Sequence, residues 1–297
     1  MATERFLLYI DILGFSEMSR SEPRKVARIY SILDSLNVHR HDLFKTIVFS
    51  DTVLVYNSTL ATSKSIRDYL VWYLIEFAED LHHRLTGQDV YFRSVITAGQ
   101  FSHYSLQNID CFFGEALIDA YLREKRIPSL GLFIDARCNQ YNKYFRTRRF
   151  DDQLRFVYLN RSLETLHQYS GGVFPFGDPT LEDMTPHVPW QVRFLRDIHN
   201  QMKSHSDPLV RIKFLTAWEM YRSRYPSMLA ALEGGGFSLS SLAGRRAWTS
   251  EAKKMRGDVK RFKRIGSGTP LSLQLSAKNS LVRRGLAKRK RKARTTR

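Results

Sequence analysis

Cysteine is scarce in this sequence, whose 297 residues include only Cys111 and Cys138. Two cysteines without CxxC spacing provide no disulfide framework, which favours a chain that works in a reducing cytoplasm. Long apolar runs are also missing. No stretch approaches the roughly 20 residues that a membrane-spanning helix needs, so no membrane insertion is expected. The first residues lack the basic segment of a leader and carry Glu4 and Asp11, so no secretory signal peptide is predicted.

Acidic residues are scarce towards the C-terminus. Residues 241–297 contain 19 Lys and Arg against only Glu251 and Asp258, whereas the preceding 240 residues are almost neutral. The chain therefore reads as a globular body followed by a strongly basic tail, and its 43% of hydrophobic residues excludes global disorder. Such a tail can bind nucleic acid or another anionic surface by neutralising phosphates, or it can be a solvated extension without a partner.

Strand and helix patterns follow one another through the first 170 residues. A break at Ser50-Asp51 divides residues 43–56 into a hairpin with Asp51 at or beside its turn. The order of patterns predicts an α+β sandwich, with helices packed on one side of a mostly antiparallel sheet. The further strands are predicted at 5–12, 90–99, 132–135 and 154–160, and the helices at 23–38, 63–85 and from Gly114 to Pro128.

Composition divides the chain into four parts. Residues 1–170 form the main domain, and residues 171–188 are rich in Gly and Pro and predict a linker. Residues 189–236 contain two amphipathic helical patterns, which predict a helical appendage. Residues 237–297 have few aromatic side chains, so we predict a basic, disordered tail.

Two aspartates stand at the ends of predicted strands. Asp11 closes the first strand, and Asp51 lies at the hairpin. If these strands are neighbours, the two carboxylates repel each other unless cations bind between them. Hard divalent cations use carboxylates, backbone carbonyls and substrate phosphates as ligands, so the pattern predicts a two-metal nucleotidyl-transfer site. The alternative is an aspartate that caps a helix and another that shapes a turn.

The loop after Asp11 runs towards a helix. Its backbone N–H groups can therefore bind phosphate oxygens, as the N-termini of helices do. The substrate-binding residues predicted in this loop are Leu13, Gly14, Phe15 and Ser16.

Four segments resemble, in the same order, motifs of the class III nucleotide cyclases, the family of adenylate and guanylate cyclases. DILGF at 11–15 is similar to the metal-site motif, and KTIVFSD at 45–51 to the hairpin with the second metal aspartate. FRSVITAG at 92–99 is similar to the next family strand, and FGEALIDAYLR at 113–123 to the aromatic-glycine turn and its helix. These segments cover less than half of the chain.

The resemblance implies a ferredoxin-like cyclase core as the catalytic domain over residues 1–170. It also implies a head-to-tail homodimer with active sites built across the interface, each with two Mn²⁺ or Mg²⁺ ions. Asp11, Asp51 and the Ile12 carbonyl would hold the metals. Because Ile118 and Leu122 occupy the positions of the family's helix Asn and Arg, the displaced Arg123 is the candidate that stabilises the transition state from the second subunit.

The purine-reading positions depart from the family pattern. Ile47 stands where adenine-specific members carry Lys, and Lys45 lies two residues before it on the same strand face. Cys111 occupies the second purine-selecting position, and Ser50 replaces the family's Gly. Phe49 shares the face of Ile47 if the strand is regular, so both are predicted to line the base pocket and to favour a smaller pyrimidine. The alternative is that a bulge at the hairpin turns Phe49 to the other face, as a core residue under the sheet.

This combination resembles the bacterial pyrimidine cyclases of the Pycsar antiphage system, which make cyclic UMP or cyclic CMP as an alarm for a neighbouring effector. The resemblance implies a uridylate cyclase, with UTP preferred over CTP on family frequency alone. Three alternatives remain. They are a cytidylate or purine cyclase, an inactive cyclase-like regulatory module, and a nucleic-acid-binding protein that acts through the basic tail.

Overall fold

The computed structural model describes residues 3–177, 180–244 and 246–265. Its centre is a single sheet of seven strands in the order β2-β3-β1-β4-β6-β8-β7, with an eighth strand, β5, paired to β4. Every neighbouring pair is antiparallel except β4 and β6. The strands are β1 (Thr3–Ile12), β2 (Phe44–Phe49), β3 (Thr52–Asn57), β4 (Phe92–Ser105), β5 (Asp110–Phe113), β6 (Gly131–Asp135), β7 (Thr147–Arg149) and β8 (Leu154–Val157).

Eleven α-helices lie among the described residues. Their starts follow local chemistry: Pro23 stands at the first position of α2, and the Ser63 hydroxyl accepts a hydrogen bond from the Ile66 N–H at the start of α3. The helices are α1 (Phe15–Ser21), α2 (Pro23–Asp34), α3 (Lys64–Leu85), α4 (Glu115–Arg126), α5 (Ala136–Asn139), α6 (Arg161–Ser170), α7 (Leu181–Met184), α8 (Val188–Ser204), α9 (Pro208–Arg224), α10 (Pro226–Gly234) and α11 (Thr249–Ile265). Within the described ranges, no helix combines the length and apolarity needed to cross a bilayer.

The predicted α+β architecture is confirmed, and so is the mostly antiparallel sheet. One face carries α2 and α3. Its core contains alternate residues of the central strands, such as Leu8 and Ile10 of β1, packed against Ile29 of α2 and Leu74 of α3. The alternation follows from the two-residue repeat of a strand, which sends successive side chains to opposite faces.

Helices also cover the opposite face, which corrects the prediction of helices on one side only. There α4 packs on β1 and β3 through Ala116 and Ala120. The neighbouring strands β4, β6 and β8 are covered by α8, α9 and α10, with Trp218 against the same core as Phe133 and Phe156. The fold is thus a three-layer sandwich, because the strands of the sheet centre are apolar on both faces.

The C-terminal helices are therefore part of the main core and not an appendage. The predicted linker also contributes, since Leu181 and Val188 are buried in that core. The predicted disordered tail begins too early at 237, because Leu242 and Trp248 are buried and α11 packs through Phe262 against the α2 and α3 layer. The remainder of the predicted tail, 266–297, lies outside the described residues.

Candidate active site

Asp11 and Asp51 lie on adjacent segments of the sheet. Asp11 is directly opposite Thr52 of β3 on one side and Arg93 of β4 on the other. Asp51 occupies the turn between β2 and β3, and its carbonyl accepts a hydrogen bond of 3.0 Å from the Ile12 N–H. The hairpin predicted from the sequence is present and ends beside the C-terminus of β1. Whether these aspartates bind metal stays a prediction.

The preceding turn residue, Ser50, has a φ of 55°. This left-handed conformation favours glycine, because a side chain crowds the backbone there. The Tyr30 hydroxyl of α2 donates a hydrogen bond of 3.0 Å to the Ser50 carbonyl. The layer of α2 thus fixes the turn that carries Asp51.

The two carboxylates affect each other electrostatically. Burial raises the pKa of Asp11, and the charge of Asp51 adds to the rise, while Arg93 and Lys213 act in the opposite direction. A raised carboxyl pKa means that the ionised form costs free energy in this environment. A cation bound between Asp11 and Asp51 would remove that cost.

Arg93, Glu124 and Lys213 border the site, and sequence reasoning missed all three. The Arg93 guanidinium forms an ion pair with Glu124, lies 3.7 Å from the Asp11 carboxylate and donates to the Ile127 carbonyl. Burial raises the pKa of Glu124, against the effect of Arg93. The repeat of Ala116, Ala120 and Glu124 at four-residue steps marks the buried face of α4 and could have found Glu124. No sequence signal marked Lys213.

In the loop after Asp11, one of the backbone N–H groups predicted to bind phosphate already donates a hydrogen bond within the chain. The Leu13 N–H donates 2.9 Å to the Tyr91 carbonyl, so it is not free for a phosphate. Gly14 has a φ of 72° and is the N-cap residue directly before α1. Phe15 is buried and packs against Tyr30, whereas Ser16 is exposed. The backbone N–H groups of the first turn of α1 have no partner inside the helix by geometry and remain available to an anion.

Three predicted substrate-binding residues share one face of β2. Lys45, Ile47 and Phe49 are each opposite a β3 residue on the face that carries Asp11 and α4. The Phe49 side chain is 73% exposed, which excludes a core role. Ile47 is partly buried against the small core under α4. The geometry therefore places an apolar surface beside the hairpin turn.

Cys111 and Arg123 do not lie with the aspartates in this chain. Cys111 is on β5, paired with Tyr104 at the end of β4 opposite to Arg93. Arg123 forms ion pairs with Asp135 and, at 3.5 Å, with Asp119. Burial acts to raise the pKa of Asp135, but hydrogen bonds from Arg137 and Arg123 outweigh it and hold that pKa low. A role for Arg123 at another site requires it to leave this pair.

The donor set at the turn fits a hard divalent cation. Asp11 and Asp51 supply carboxylate oxygens, and such ions take further ligands from carbonyls, water and substrate phosphates. The described residues contain no group of three or more His, Cys, Asp or Glu side chains arranged as a metal site. A site with two carboxylates thus depends on substrate oxygens to complete its shell.

A cavity of about 630 Å³ lies elsewhere, between α3, α6 and α8. Its acidic wall is already paired, because Arg161 contacts Glu76 at 2.9 Å and Glu79 at 2.6 Å. Burial lowers the pKa of His83 to about 4, and His187 lowers it further. The cavity therefore offers neutral rings and satisfied charges, and we do not place the reaction there.

Several solved structures of cyclases resemble the chain over about half of its length. The guanylyl cyclase domain of the RhoGC fusion protein from the aquatic fungus Blastocladiella emersonii is 15% identical and covers 53% of this chain and 95% of its own, with a TM-score of 0.43. The adenylyl cyclase CyaB from P. aeruginosa is 11% identical over 53% of this chain and 95% of its own, with a TM-score of 0.40. The guanylate cyclase domain of RhGC from Catenaria anguillulae, in complex with GTP, is 15% identical over 53% and 97%, with a TM-score of 0.42.

No protein-family model and no curated protein matches the chain.

Proposed function

We propose that this chain is a nucleotide cyclase that converts UTP to 3′,5′-cyclic UMP and pyrophosphate. The observation that carries the proposal is that Asp11 and Asp51 lie on adjacent segments of the sheet, beside the N-terminus of α1. Two carboxylates for divalent cations and a helix N-terminus for phosphate are what a triphosphate substrate needs. The motifs that resemble class III cyclases supply the reaction type.

Asp11, Asp51 and the Ile12 carbonyl would hold two Mn²⁺ or Mg²⁺ ions. When bound, these ions lower the pKa of the ribose 3′-hydroxyl and neutralise charge on the pyrophosphate leaving group. These donor atoms suit a divalent cation. Burial and the nearby charge of Asp51 raise the pKa of Asp11, and a bound cation would stabilise both ionised carboxylates. Arg93 fixes the position of Asp11 from the adjacent strand.

The remaining work of the chain is to hold the nucleotide in line. The N–H groups of the first turn of α1, at Phe15 and Ser16, bind phosphate oxygens. The ribose 3′-oxygen then attacks the α-phosphorus as the bond to the pyrophosphate oxygen breaks. In such transfers, positioning and charge neutralisation supply most of the rate enhancement.

The base contacts the face of β2 that carries Ile47 and Phe49. Neither side chain donates a hydrogen bond. A purine base would therefore meet two large apolar side chains at the place where adenine cyclases carry a Lys donor. Lys45 lies further along the same face. This arrangement favours pyrimidines, and the choice of UTP over CTP rests on the resemblance to the Pycsar cyclases.

The active site is completed by a second copy of the chain in a homodimer. On the α4 face, the chain exposes large apolar side chains that a partner would cover, including Phe49, Ile118 and Leu122. Cys111 and Arg123, which do not contact Asp11 or Asp51 of their own chain, would then belong to the site of the partner. In this arrangement Arg123 leaves Asp135 to stabilise the transition state, and Arg137 keeps Asp135 paired.

The product would act as a second messenger in antiphage defence and activate a neighbouring effector. This part of the proposal rests on the resemblance alone.

The deciding experiment is to incubate the pure chain with ATP, GTP, CTP and UTP in Mn²⁺ and to identify the products by mass spectrometry. We expect cyclic UMP as the main product, and reversible loss of activity in EDTA. Formation of cyclic AMP or cyclic GMP as the main product would support the purine cyclase alternative. No cyclic product from any nucleotide, with the chain folded, would contradict cyclase activity.

A further inference from the structure

Helix α9 lies against the segment that follows Asp11. The ring of Phe214 packs edge-on against Tyr91 with centroids 4.8 Å apart, and the Tyr91 carbonyl accepts the hydrogen bond from the Leu13 N–H. The Leu13 side chain also packs against the core of the C-terminal helices. One wall of the loop at 12–16 is therefore supported by a helix from outside the segments that resemble a cyclase.

Lys213 precedes Phe214 on this helix and is half-buried. Its charge acts on two carboxylates of the site, Asp11 and Glu124. In the described part of the chain, its ammonium group makes no ion pair or hydrogen bond. A lysine carries three donors, and a half-buried ammonium beside carboxylates that it does not contact has donors to spare for a ligand.

Arg93, the other cation at the site, is already engaged. Its guanidinium binds Glu124 and donates a hydrogen bond of 2.5 Å to the Ile127 carbonyl. Arg93 and Lys213 thus differ in how many hydrogen-bond donors they have left for a ligand. Arg93 holds the carboxylates in place, whereas the Lys213 ammonium has no hydrogen-bond partner among the described residues.

We propose that Lys213 binds the triphosphate of the nucleotide substrate, so that the C-terminal helices complete the phosphate side of the active site within one chain. This inference rests on the proposed function. A lysine ammonium is a compact point charge that can contact non-bridging phosphate oxygens from many directions. The ligand class is a polyphosphate, and inorganic tripolyphosphate with Mg²⁺ is its smallest probe.

The test compares Lys213→Ala and Lys213→Met with Lys213→Arg. The methionine variant keeps an unbranched stem for packing and removes only the charge. In calorimetric titrations with Mg²⁺-tripolyphosphate, we expect both uncharged variants to bind roughly 10- to 100-fold more weakly than the wild type, as for the loss of one charge-assisted hydrogen bond. Lys213→Arg should restore most of the affinity. Lys203→Ala, which removes an exposed lysine at the end of α8, is the matched control and should leave binding unchanged.

Turnover measurements add a second readout. In a chain that makes cyclic nucleotide, we expect Lys213→Met to raise KM for the triphosphate by a factor similar to the loss of tripolyphosphate affinity. Inhibition by uridine, which lacks phosphates, should not change. Equal tripolyphosphate affinity in Lys213→Met and the wild type would overturn the proposal, as would a wild type that does not bind tripolyphosphate.

The two proposals can fail separately. Lysine-dependent tripolyphosphate binding without any cyclic product would contradict the cyclase function and support Lys213 as a polyphosphate ligand. Cyclic product with unaltered kinetics and binding in Lys213→Met would support the function and overturn the role of Lys213. A loss of binding that Lys213→Arg does not restore, together with a lowered melting temperature in all three variants, would show a structural role and overturn the inference.

Discussion

At the residue scale, the folded state holds Asp11, the proposed metal ligand, in a position where its ionised form lowers stability. The folded state raises its pKa through burial and through the charge of Asp51. The folded chain therefore binds a proton at Asp11 more tightly than the unfolded chain does, and stability falls as the pH rises through the interval between the two pKa values. Above that interval the ionised carboxylate destabilises the chain, unless a cation binds to it.

The first prediction concerns Asp11→Asn and Asp51→Asn. Each variant should lose cyclase activity, because an amide oxygen replaces an anionic metal ligand. In urea titrations with EDTA at pH 7, the free energy of unfolding of Asp11→Asn should equal or exceed that of the wild type. Asp42→Asn, at an exposed aspartate, should keep full activity. Near-normal turnover in either site variant would rule out the two-metal proposal, and a stability loss above about 2 kcal/mol would indicate a structural role.

The second prediction concerns Glu79, in the wall of the large cavity. Burial raises the pKa of Glu79 from 4.5 to about 7, although Arg161 acts against the rise. Because the folded state holds this proton more tightly, the contribution of Glu79 to stability should decline between about pH 4.5 and pH 7. Glu79→Gln should remove that slope and make the variant more stable than the wild type at pH 8. Urea unfolding at pH 5 and pH 8 measures the difference.

Glu219→Gln is the control for this prediction, because Glu219 is exposed on α9 and should give a slope like that of the wild type. An unchanged slope in Glu79→Gln would mean that Glu79 keeps an ordinary pKa.

At this scale the sequence indicated the two aspartates, since both follow strongly apolar strands. Arg93 was part of a quoted motif, but nothing in the motif showed that its side chain turns to Asp11. That orientation follows from the register of β1 and β4, which pairs Asp11 with Arg93. Lys213 could not be predicted, because the sequence does not show that α9 packs beside the site.

At the scale of elements, the β2–β3 hairpin carries both the residue proposed to bind metal and the residues proposed to select the base. Phe49 and Val48 are neighbours on β2, and successive residues of a strand point to opposite faces. Phe49 faces the site and Val48 faces away, and both are exposed, by 73% and 43%. The pair therefore provides a variant and its matched control on one strand.

The third prediction is that Phe49→Ala admits ATP or GTP more readily and keeps its dependence on metal. Removing the ring opens space for a purine, and size discrimination of this kind is worth about 1–3 kcal/mol per methylene-sized change. The measurement is the ratio of kcat/KM for UTP to that for ATP. Val48→Ala should leave the ratio unchanged. If both variants keep the wild-type ratio, Phe49 does not select the base.

On helix α4, the role assigned to Arg123 from the family motif depends on a shift of one position in the sequence. Each residue of a helix turns about 100° from the last, so Arg123 and Leu122 point in different directions. Leu122 is exposed, whereas Arg123 turns towards Asp135 of its own chain. A shift of one position thus replaces Leu122, which faces solvent, with Arg123, which faces Asp135. The sequence alone does not distinguish the two directions.

Element boundaries were predicted well where periodicity was strong. The long helix expected over 63–85 is observed at Lys64–Leu85, and the two C-terminal helical patterns are α8 and α9. These helices pack in the core on the sheet and do not form the predicted appendage, because an amphipathic pattern shows that a helix buries one face without showing which surface covers it. The missed helix α11 carries a strongly basic outer face, and that composition concealed the apolar contact of Phe262.

At the scale of the whole molecule, the third layer determines which sides of the candidate site are covered. The C-terminal helices cover β4, β6 and β8, whereas the hairpin and the outer surface of α4 remain open. Phe49, Ile118 and Leu122 lie on that open part. We therefore expect the phosphate side to be completed within one chain and the base side by a second chain.

The last prediction tests this division by complementation. In a head-to-tail dimer each site takes its aspartates from one chain and Arg123 from the other. Asp51→Ala and Arg123→Gln should each be inactive alone. A mixture of the two after exchange of subunits should regain about a quarter of wild-type activity, because half of the dimers are mixed and each holds one intact site. Glutamine is used at 123 because it can still donate a hydrogen bond to the buried Asp135.

A mixture of Asp11→Ala with Asp51→Ala is the matched control. Both aspartates belong to the same half of a site, so each site of a mixed dimer lacks one of them and no activity should return. Activity is measured as cyclic nucleotide formed, and mixed dimers are verified by native mass spectrometry. Recovery in the control mixture would mean that the aspartates of one site come from different chains. No recovery in the first mixture, with mixed dimers present, would place the whole site in one chain or assign the transition state to another residue than Arg123.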